Sequence, residues 1–186
     1  HGLTVIEDCA QAPGAKYRGR WAGTLGDMGV FSLNYHKHIH CGEGGIVVTD
    51  DDRLAERLRL IRNHGEAVVE DMGVSDIVNI LGFNFRMTEL AAAMGIVQLG
   101  KLRDLNRRRA ENARLLSELL EGTEIQLPAT EARAVHAWHQ YTIRVPNRDR
   151  VQQRLRELGV DSRVYYPMPV YAQPIYRERR IAGNCP

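Results

Sequence analysis

The feature that most constrains the fold is a set of three short, continuous apolar runs within the first fifty residues. The first run, Leu3–Ile6, ends in Glu7 and Asp8, and the runs within "MGVFSL" and "GIVVTD" follow it. Short continuous apolar runs are typical of strands buried on both faces of a parallel sheet. We therefore predict an α/β fold in which Asp8 lies at the carboxyl end of a strand, where open α/β sheets bind ligands.

Capping residues predict where the helices begin and end. The three aspartates before "RLAERLRLIRN" would cap a helix that ends at His64 and Gly65. Thr88 begins an Ala-rich helical pattern that continues to Leu120, which predicts either one long, bent helix or two helices. The Gly-rich sequence before "MGVFSL" predicts loops and a short hairpin.

The sequence pattern changes after Gly122, from one long helical periodicity to short alternating segments. Beyond it, "EIQLP", "HQYTIRVP" and "SRVYYP" predict strands, and "RDRVQQRLRELGV" predicts a helix. We therefore expect a domain boundary here, with residues 1–121 in one domain and residues 122–186 in a smaller α/β domain. Before the boundary, a long loop between His64 and Phe85 is of the kind that is functional or disordered.

Charge and cysteine usage exclude several classes of protein. The formal net charge is +2 and the basic residues are scattered, so we expect no nucleic-acid partner. The densest basic cluster, Arg107–Arg109, reads as the solvated face of a helix. No apolar run is long enough to span a bilayer, and we expect no membrane association. Three cysteines without a C-x-x-C pair favour a reducing, cytoplasmic location.

Both ends of the sequence suggest a piece of a longer protein. It opens with "HGLTVIED", almost directly on an apolar strand and without a starting Met, and it stops at "RRIAGNCP" without a closing element. We expect an internal segment that is inactive by itself.

The segment "HKHIHCGEGG" suggests two kinds of site. If it were a strand, its three alternating histidines would share one face, and with Cys41 they could bind zinc. The glycines at its end favour a loop instead, and we expect no metal. Lys37, one of only three lysines in the chain, is the other candidate, because a lysine amine can attack a carbonyl.

Asp8, Ser32 and Lys37 together match the needs of one cofactor. A carboxylate at a strand end can keep a ring nitrogen protonated, and a serine hydroxyl can donate to a phosphate. Lys37 follows Ser32 by five residues, and its amine can form a Schiff base. Pyridoxal 5′-phosphate (PLP) needs this set of groups. Isolated Asp and Lys residues near strand ends are more often surface groups, so the residues alone leave both interpretations open.

A family resemblance bears on that choice. The stretch from "VIEDCAQAPGAKYRGR" through "GDMGVFSLNYHKHIHCGEGGIVVTD" to "RNHG" resembles the DegT/StrS sugar aminotransferases of PLP fold type I. The match continues through "GFNFRMTELAAAMGIVQL" and "YYPMPVYAQPIY", so it covers nearly the whole chain. It implies part of a large domain, with a mostly parallel sheet between helices and a long connecting helix, plus part of a small C-terminal α/β domain.

The resemblance also implies roles for individual residues. Lys37 would bind the cofactor covalently and act as general acid and base, and Asp8 would pair with the pyridine nitrogen. Gln11 would contact the hydroxyl side of the ring, and Ser32 would bind the phosphate. Asn84, within "GFNFR", resembles a residue that reaches a neighbouring subunit's phosphate, which implies a homodimer with shared active sites.

The implied reaction moves an amino group from glutamate or glutamine to a keto-sugar, often nucleotide-linked, or to a keto-cyclitol. Dehydratases of the same family use pyridoxamine phosphate and have histidine in place of the lysine. The fifth residue after Ser32 is a lysine, although histidines flank it, and this register favours transamination. A non-catalytic regulatory protein that keeps the fold is a further alternative, but it would have no need of the Asp8–Lys37 pair.

Overall fold

A computed structural model of the chain describes residues 1–66 and 80–179. Part of the predicted loop between His64 and Phe85 lies outside these residues, and Cys185 lies outside them as well. In chain order the strands are β1 (Ile6–Asp8), β2 (Lys16–Tyr17), β3 (Arg20–Trp21), β4 (Met28–Ser32), β5 (Gly45–Val48) and β6 (Ala134–Val135). The helices are α1 (Asp52–Arg62), α2 (Glu89–Leu120), α3 (Arg148–Glu157) and α4 (Pro174–Glu178), with a 3₁₀ turn at Val170–Ala172.

The first sheet has the order β1-β4-β5. Strands β1 and β4 run parallel, with Asp8 opposite Val30, and β5 pairs antiparallel with β4. All three predicted strands are therefore present, and the α/β class is confirmed. The prediction that these runs are buried is wrong for the first run and for β5, because Leu3 is 77 % exposed, Ile6 60 % exposed and Ile46 43 % exposed. The run within "MGVFSL" is half-buried along β4 and ends at the buried Leu33. Apolar side chains pack instead against the loop that follows β4.

A second, smaller sheet contains the predicted hairpin. Strands β2 and β3 pair antiparallel, and β6 pairs with the other edge of β2. The latter pairing joins residues more than a hundred positions apart in the chain, and no local sequence pattern could have predicted it.

Both predicted caps are observed. The Asp51 carboxylate accepts hydrogen bonds from the backbone N–H groups of Arg53 and Leu54 at the start of α1. The Thr88 hydroxyl accepts from Ala91 at the start of α2, which continues without interruption for 32 residues. These caps satisfy backbone donors that the first turn of a helix leaves without partners.

Contacts divide the chain into two units. One comprises His1–Thr123 and Leu127–Ile143, and the other comprises Glu124–Gln126 and Arg144–Pro186. The first change of unit falls beside the predicted boundary at Gly122, while Leu127–Ile143 packs with the first unit. The domain division of the whole protein stays a prediction.

The predicted strands beyond Gly122 are largely wrong. "EIQLP" and "HQYTIRVP" contribute only an isolated bridge between Gln126 and Arg144, and "SRVYYP" forms no strand in the described residues. Their alternation of apolar and polar residues matches an alternation of half-buried and exposed side chains along extended chain. The predicted helix is present as α3. Among the described helices, none combines the length and apolar character required to cross a membrane.

Candidate active site

The candidate site lies at the carboxyl ends of the two parallel strands. Asp8 ends β1 and Ser32 ends β4, two residues beyond Val30, the partner of Asp8. The backbone N–H of Cys9 donates to the Val30 carbonyl at 2.8 Å, so the pairing continues past the end of β1. Parallel pairing therefore places a carboxylate and a hydroxyl at the same edge of the sheet.

A tight turn follows Asp8. One carboxylate oxygen, Oδ1, accepts from the backbone N–H of Ala10 at 3.0 Å. The N–H of Ala12 donates to the Cys9 carbonyl at 2.9 Å, which places Gln11 within the turn. Asp8 and Gln11 are both exposed, so their side chains are accessible from solvent at this edge.

Lys37 lies in a loop that local hydrogen bonds shape from its amino-terminal side. Its backbone N–H donates to the Asn34 carbonyl at 2.9 Å, and Asn34 Oδ1 accepts from the His36 N–H. Asn34 Nδ2 also donates to Glu43 Oε1 at 2.7 Å, across the base of the loop. An Asn that bonds the backbone two residues ahead is a common turn former. The Lys37 side chain is half-buried.

Apolar packing holds the same loop against α2. Leu33, Ile39 and Cys41 are buried together and form a core cluster. Half-buried side chains from α2 and the segment before it complete the cluster, namely Met87, Ala91, Leu102 and Leu105. The loop therefore has a packed interior, and Lys37 lies between the turn at Asn34 and this core.

The three alternating histidines have different environments. His36 is exposed and its ring lies 3.7 Å from that of Tyr35, and His40 is exposed as well. His38 is only 5 % exposed, and its Nε2 is 2.8 Å from the Ala137 carbonyl oxygen. They do not share a face, because the segment is a loop rather than a strand. Within residues 1–66 and 80–179, no three His, Cys, Asp or Glu side chains meet in a group that could hold a metal ion.

Burial is the main influence on the pKa of His38. It lowers the pKa of this imidazole to about 4, with the positive charges of Arg109, His139 and Lys37 acting in the same direction and the Ala137 hydrogen bond opposing them. His38 is therefore neutral at pH 7. A carbonyl oxygen can only accept, so the proton of neutral His38 is on Nε2.

The two residues that flank Asp8 in sequence, Glu7 and Cys9, have shifted pKa values. Partial burial acts to raise the pKa of Glu7, but hydrogen bonds from the N–H groups of Gly26, Gly23 and Leu25, with the charge of Arg20, outweigh it and leave the pKa lowered. Burial, with the charges of Glu7 and Asp8, raises the pKa of the Cys9 thiol. Cys9 is thus a packed thiol rather than a nucleophile.

Asn84 lies beside the end of α1. It forms an isolated bridge with Asn63, and the flanking Phe83 and Phe85 N–H groups donate to the carbonyls of Ile61 and Arg62. The Asn84 side chain is exposed. Asp8 and Ser32 therefore lie at one edge of the sheet, Gln11 lies in the turn after Asp8, and Lys37 lies in the loop after β4. Asn84 lies on a separate segment.

Sequence reasoning missed three residues that shape this region. Asn34 and His38 fix the loop on either side of Lys37, and Arg109 donates to the carbonyls of Trp138 and His139 at 3.2 and 3.3 Å. Arg107 and Arg108 are exposed as predicted, but Arg109 is half-buried, so the prediction of a solvated face is wrong for it. The Asn after a strand end was an available signal for Asn34, whereas the partners of His38 and Arg109 are distant in sequence.

With this geometry in hand, comparison with known proteins identifies the family. The model of the DegT/DnrJ/EryC1/StrS aminotransferase family matches residues 1–186. The chain belongs to this family. The resemblance predicted from the motifs is therefore confirmed, and the family depends on PLP.

Individual relatives agree with this membership. The chain is 39% identical to the dTDP-3-amino-3,4,6-trideoxy-alpha-D-glucose transaminase of Streptomyces venezuelae, covering 100% of this chain and 47% of the relative. It is also 39% identical to a pleiotropic regulatory protein of Geobacillus stearothermophilus, covering 95% of this chain and 47% of the relative. The chain thus spans about half the length of these curated relatives.

A solved structure matches the fold as well. The crystal structure of S. venezuelae DesV in complex with a ketimine intermediate superposes with a TM-score of 0.87 at 38% identity. The alignment covers 96% of this chain and 47% of DesV. The expectation of part of a fold type I aminotransferase is confirmed.

Proposed function

We propose that the full-length protein is a PLP-dependent aminotransferase that transfers an amino group from glutamate or glutamine to a keto-sugar, nucleotide-linked, or to a keto-cyclitol. The observation that supports this most directly is the placement of Lys37. It is half-buried, it follows the carboxyl end of β4, and Asp8 ends the parallel neighbour β1. The transaminase named above, matched over the whole chain, supports a sugar as the amino acceptor.

The chemistry of the side chains fits the cofactor. Lys37 has a primary amine for the aldehyde of PLP, and the Asp8 carboxylate can pair with a protonated ring nitrogen. The Ser32 hydroxyl would donate to the phosphate, and the Gln11 amide would contact the ring hydroxyl. When bound, PLP supplies an electron sink for charge that develops at the substrate carbon.

Lys37 has two proposed tasks. Its Nζ would hold the cofactor covalently, and as a free amine it would move a proton to and from the substrate carbon. Asp8 can keep its orientation throughout, because Oδ1 accepts from the Ala10 N–H. Both tasks require a lysine at position 37.

The assembly and location are part of the same proposal. Asn84 would bind the phosphate of a neighbouring subunit, so the enzyme would be a homodimer with shared active sites. The side chain of Asn84 is exposed, which supports a contact with a neighbouring subunit. Cys9 and Cys41 are free thiols, which supports a reducing, cytoplasmic location.

Two other functions remain as alternatives. The similarity to the pleiotropic regulatory protein of G. stearothermophilus favours a regulatory role, although a role without catalysis gives no reason for both Asp8 and Lys37. A dehydratase dependent on pyridoxamine phosphate would need histidine in place of Lys37. The neighbouring His38 is buried and hydrogen-bonded to the Ala137 carbonyl, which argues against His38 serving as that catalytic histidine.

The deciding experiment is chemical labelling of the full-length protein. We expect added PLP to give a visible absorbance that borohydride abolishes, with the mass adduct on the peptide containing Lys37. Lys37→Arg keeps the charge and should lose both signals, whereas Lys16→Arg, a lysine of the hairpin, serves as the matched control. An adduct on another lysine, or no adduct, would contradict the proposal.

The same preparation separates the alternatives. An aminotransferase should exchange amino groups between glutamate or glutamine and a keto-sugar, and this exchange should stop in Lys37→Arg. A regulatory protein would show the adduct without turnover, and a dehydratase would release water from the sugar without consuming the amino donor.

A further inference from the structure

The chain on the carboxyl side of Lys37 is held by a contact with a segment that is distant in sequence. The turn at Asn34 holds the backbone before the lysine, and His38, the residue after it, has a buried side chain. Its Nε2–H donates to the carbonyl of Ala137, which is 99 positions away in sequence. Ile39, beside it, is part of the core cluster.

The acceptor of this hydrogen bond belongs to an unusually restrained segment. Three consecutive carbonyls, those of Ala137, Trp138 and His139, accept from side chains of other elements, the first from His38 and the other two from Arg109. Trp138 has a φ of 53°, a left-handed conformation that is rare for a bulky residue and persists only where its surroundings fix it. Ala137 is therefore a rigid point of attachment for the lysine loop.

The electrostatic surroundings require His38 to remain neutral. The ring of His139 lies 5.3 Å from that of His38, and Arg109 and Lys37 are the cations near both rings. His38 Nδ1 is buried and has no hydrogen-bond partner in the part of the chain that the structure describes. A second proton on Nδ1 would place a buried charge among cations without an acceptor. Only the Nε2–H form fits this position.

We propose that His38 is a positioning residue for Lys37, which acts by attaching the backbone on the carboxyl side of the lysine to the Ala137 carbonyl. This inference rests on the function proposed above. His38 touches neither substrate nor cofactor in this proposal. It restricts the directions in which the Lys37 amine can point.

The test uses the full-length protein and three variants. His38→Leu fills the interior but has no donor, and His38→Gln has an Nε2–H that can reach the same carbonyl. His36→Leu is the matched control, because His36 flanks Lys37 on the other side, and its exposed ring packs against that of Tyr35 rather than into the core. One readout is the pH midpoint of the visible absorbance of PLP bound at Lys37, and the other is amide hydrogen exchange at residues 37–39 without PLP.

We expect His38→Leu to shift the absorbance midpoint and to accelerate exchange about tenfold, since a lost buried hydrogen bond is worth about that factor. His38→Gln should restore both readouts, and His36→Leu should leave both unchanged. Nitrogen NMR of the histidines should show His38 as the neutral Nε2–H form at pH 7.

Two results would overturn the inference. In the first, His38→Leu matches His36→Leu in both readouts. In the second, His38→Leu lowers global stability but leaves the Lys37 absorbance midpoint unchanged, which would make its role structural only. If the wild-type protein gave no visible absorbance with PLP, the proposed function would fail, and hydrogen exchange would still decide whether His38 fixes the loop.

Discussion

Single polar side chains determine how the segments around the candidate site are held. The Glu7 carboxylate accepts backbone hydrogen bonds from Gly23, Leu25 and Gly26 at 2.9, 2.6 and 2.7 Å. It thereby attaches the loop before β4 to the end of β1, one residue from Asp8. Such bonds to a charged acceptor are stronger than those to a neutral one.

We predict that Glu7→Gln lowers the free energy of unfolding of the full-length protein at pH 7 by about 1 kcal/mol. The folded-state pKa of Glu7 is lowered, so its contribution is fully present above the ordinary carboxyl pKa and is lost as the pH falls through the lowered value. The difference between wild type and variant should therefore shrink in acid. Urea unfolding at pH 7 and at about pH 3 measures it.

Glu56→Gln is the matched control, because Glu56 is exposed on α1. It should change the unfolding free energy at neither pH. An equal loss in both variants would show that net charge, rather than the three backbone hydrogen bonds, is responsible.

At the scale of elements, α2 provides most of the surface against which the lysine loop packs. Ala91, Leu102 and Leu105 contact the core cluster, and the helix begins at the Thr88 cap. On its outer side, Arg107 forms ion pairs with Asp104 and Glu111. Exposed pairs of this kind contribute little, so packing and the cap account for the stability of this helix.

We predict that Thr88→Ala lowers the unfolding free energy of the full-length protein by about 1 kcal/mol, because the Ala91 N–H loses its acceptor. Thr88→Ser keeps an acceptor at the same position and should lie close to wild type. Thermal unfolding followed by circular dichroism compares the two. A Ser variant as unstable as the Ala variant would contradict the role of the cap.

Features that depend on local interactions could be predicted from the sequence, whereas those that depend on contacts distant in sequence could not. Asp51, Thr88 and the ends of β1 and β4 were predictable, because caps and apolar runs act within a few residues. The burial of His38 was not, since His36, His38 and His40 are equivalent in the alternating pattern. What distinguishes His38 is its contact with a segment that is distant in sequence, through the Ala137 carbonyl and the His139 ring. The extended segment near Arg144 was mistaken for a strand because alternation reports burial and not pairing.

At the scale of the whole chain, a large apolar surface is exposed. Leu90, Met94 and Val97 form a stripe at helical spacing on α2 and are 80, 51 and 61 % exposed. Contiguous exposed apolar surface of this kind marks an interaction site or an aggregation liability. The chain spans about half the length of its curated relatives, so the 186 residues by themselves should not behave as a stable monomer.

We predict that the 186-residue chain produced by itself self-associates and binds an apolar dye. Replacing Leu90 and Val97 by Glu should reduce both effects, whereas replacing the exposed Glu111 and Glu118 of the same helix by Gln should not. Sedimentation velocity and dye fluorescence measure the outcome. A well-dispersed monomer that excludes the dye would contradict this prediction.

The uninterrupted course of α2 has one more consequence. Within two turns, Leu102 and Leu105 contact the lysine loop, Asn106 donates to the Pro13 carbonyl after the Asp8 turn, and Arg109 binds the segment at Trp138 and His139. A residue added to or removed from the helix between these positions would rotate the later contacts by about 100° relative to the earlier ones. The relative placement of three chain segments thus depends on the rotational positions of these residues around α2. A substitution within the helix preserves those positions, whereas an insertion or deletion changes them.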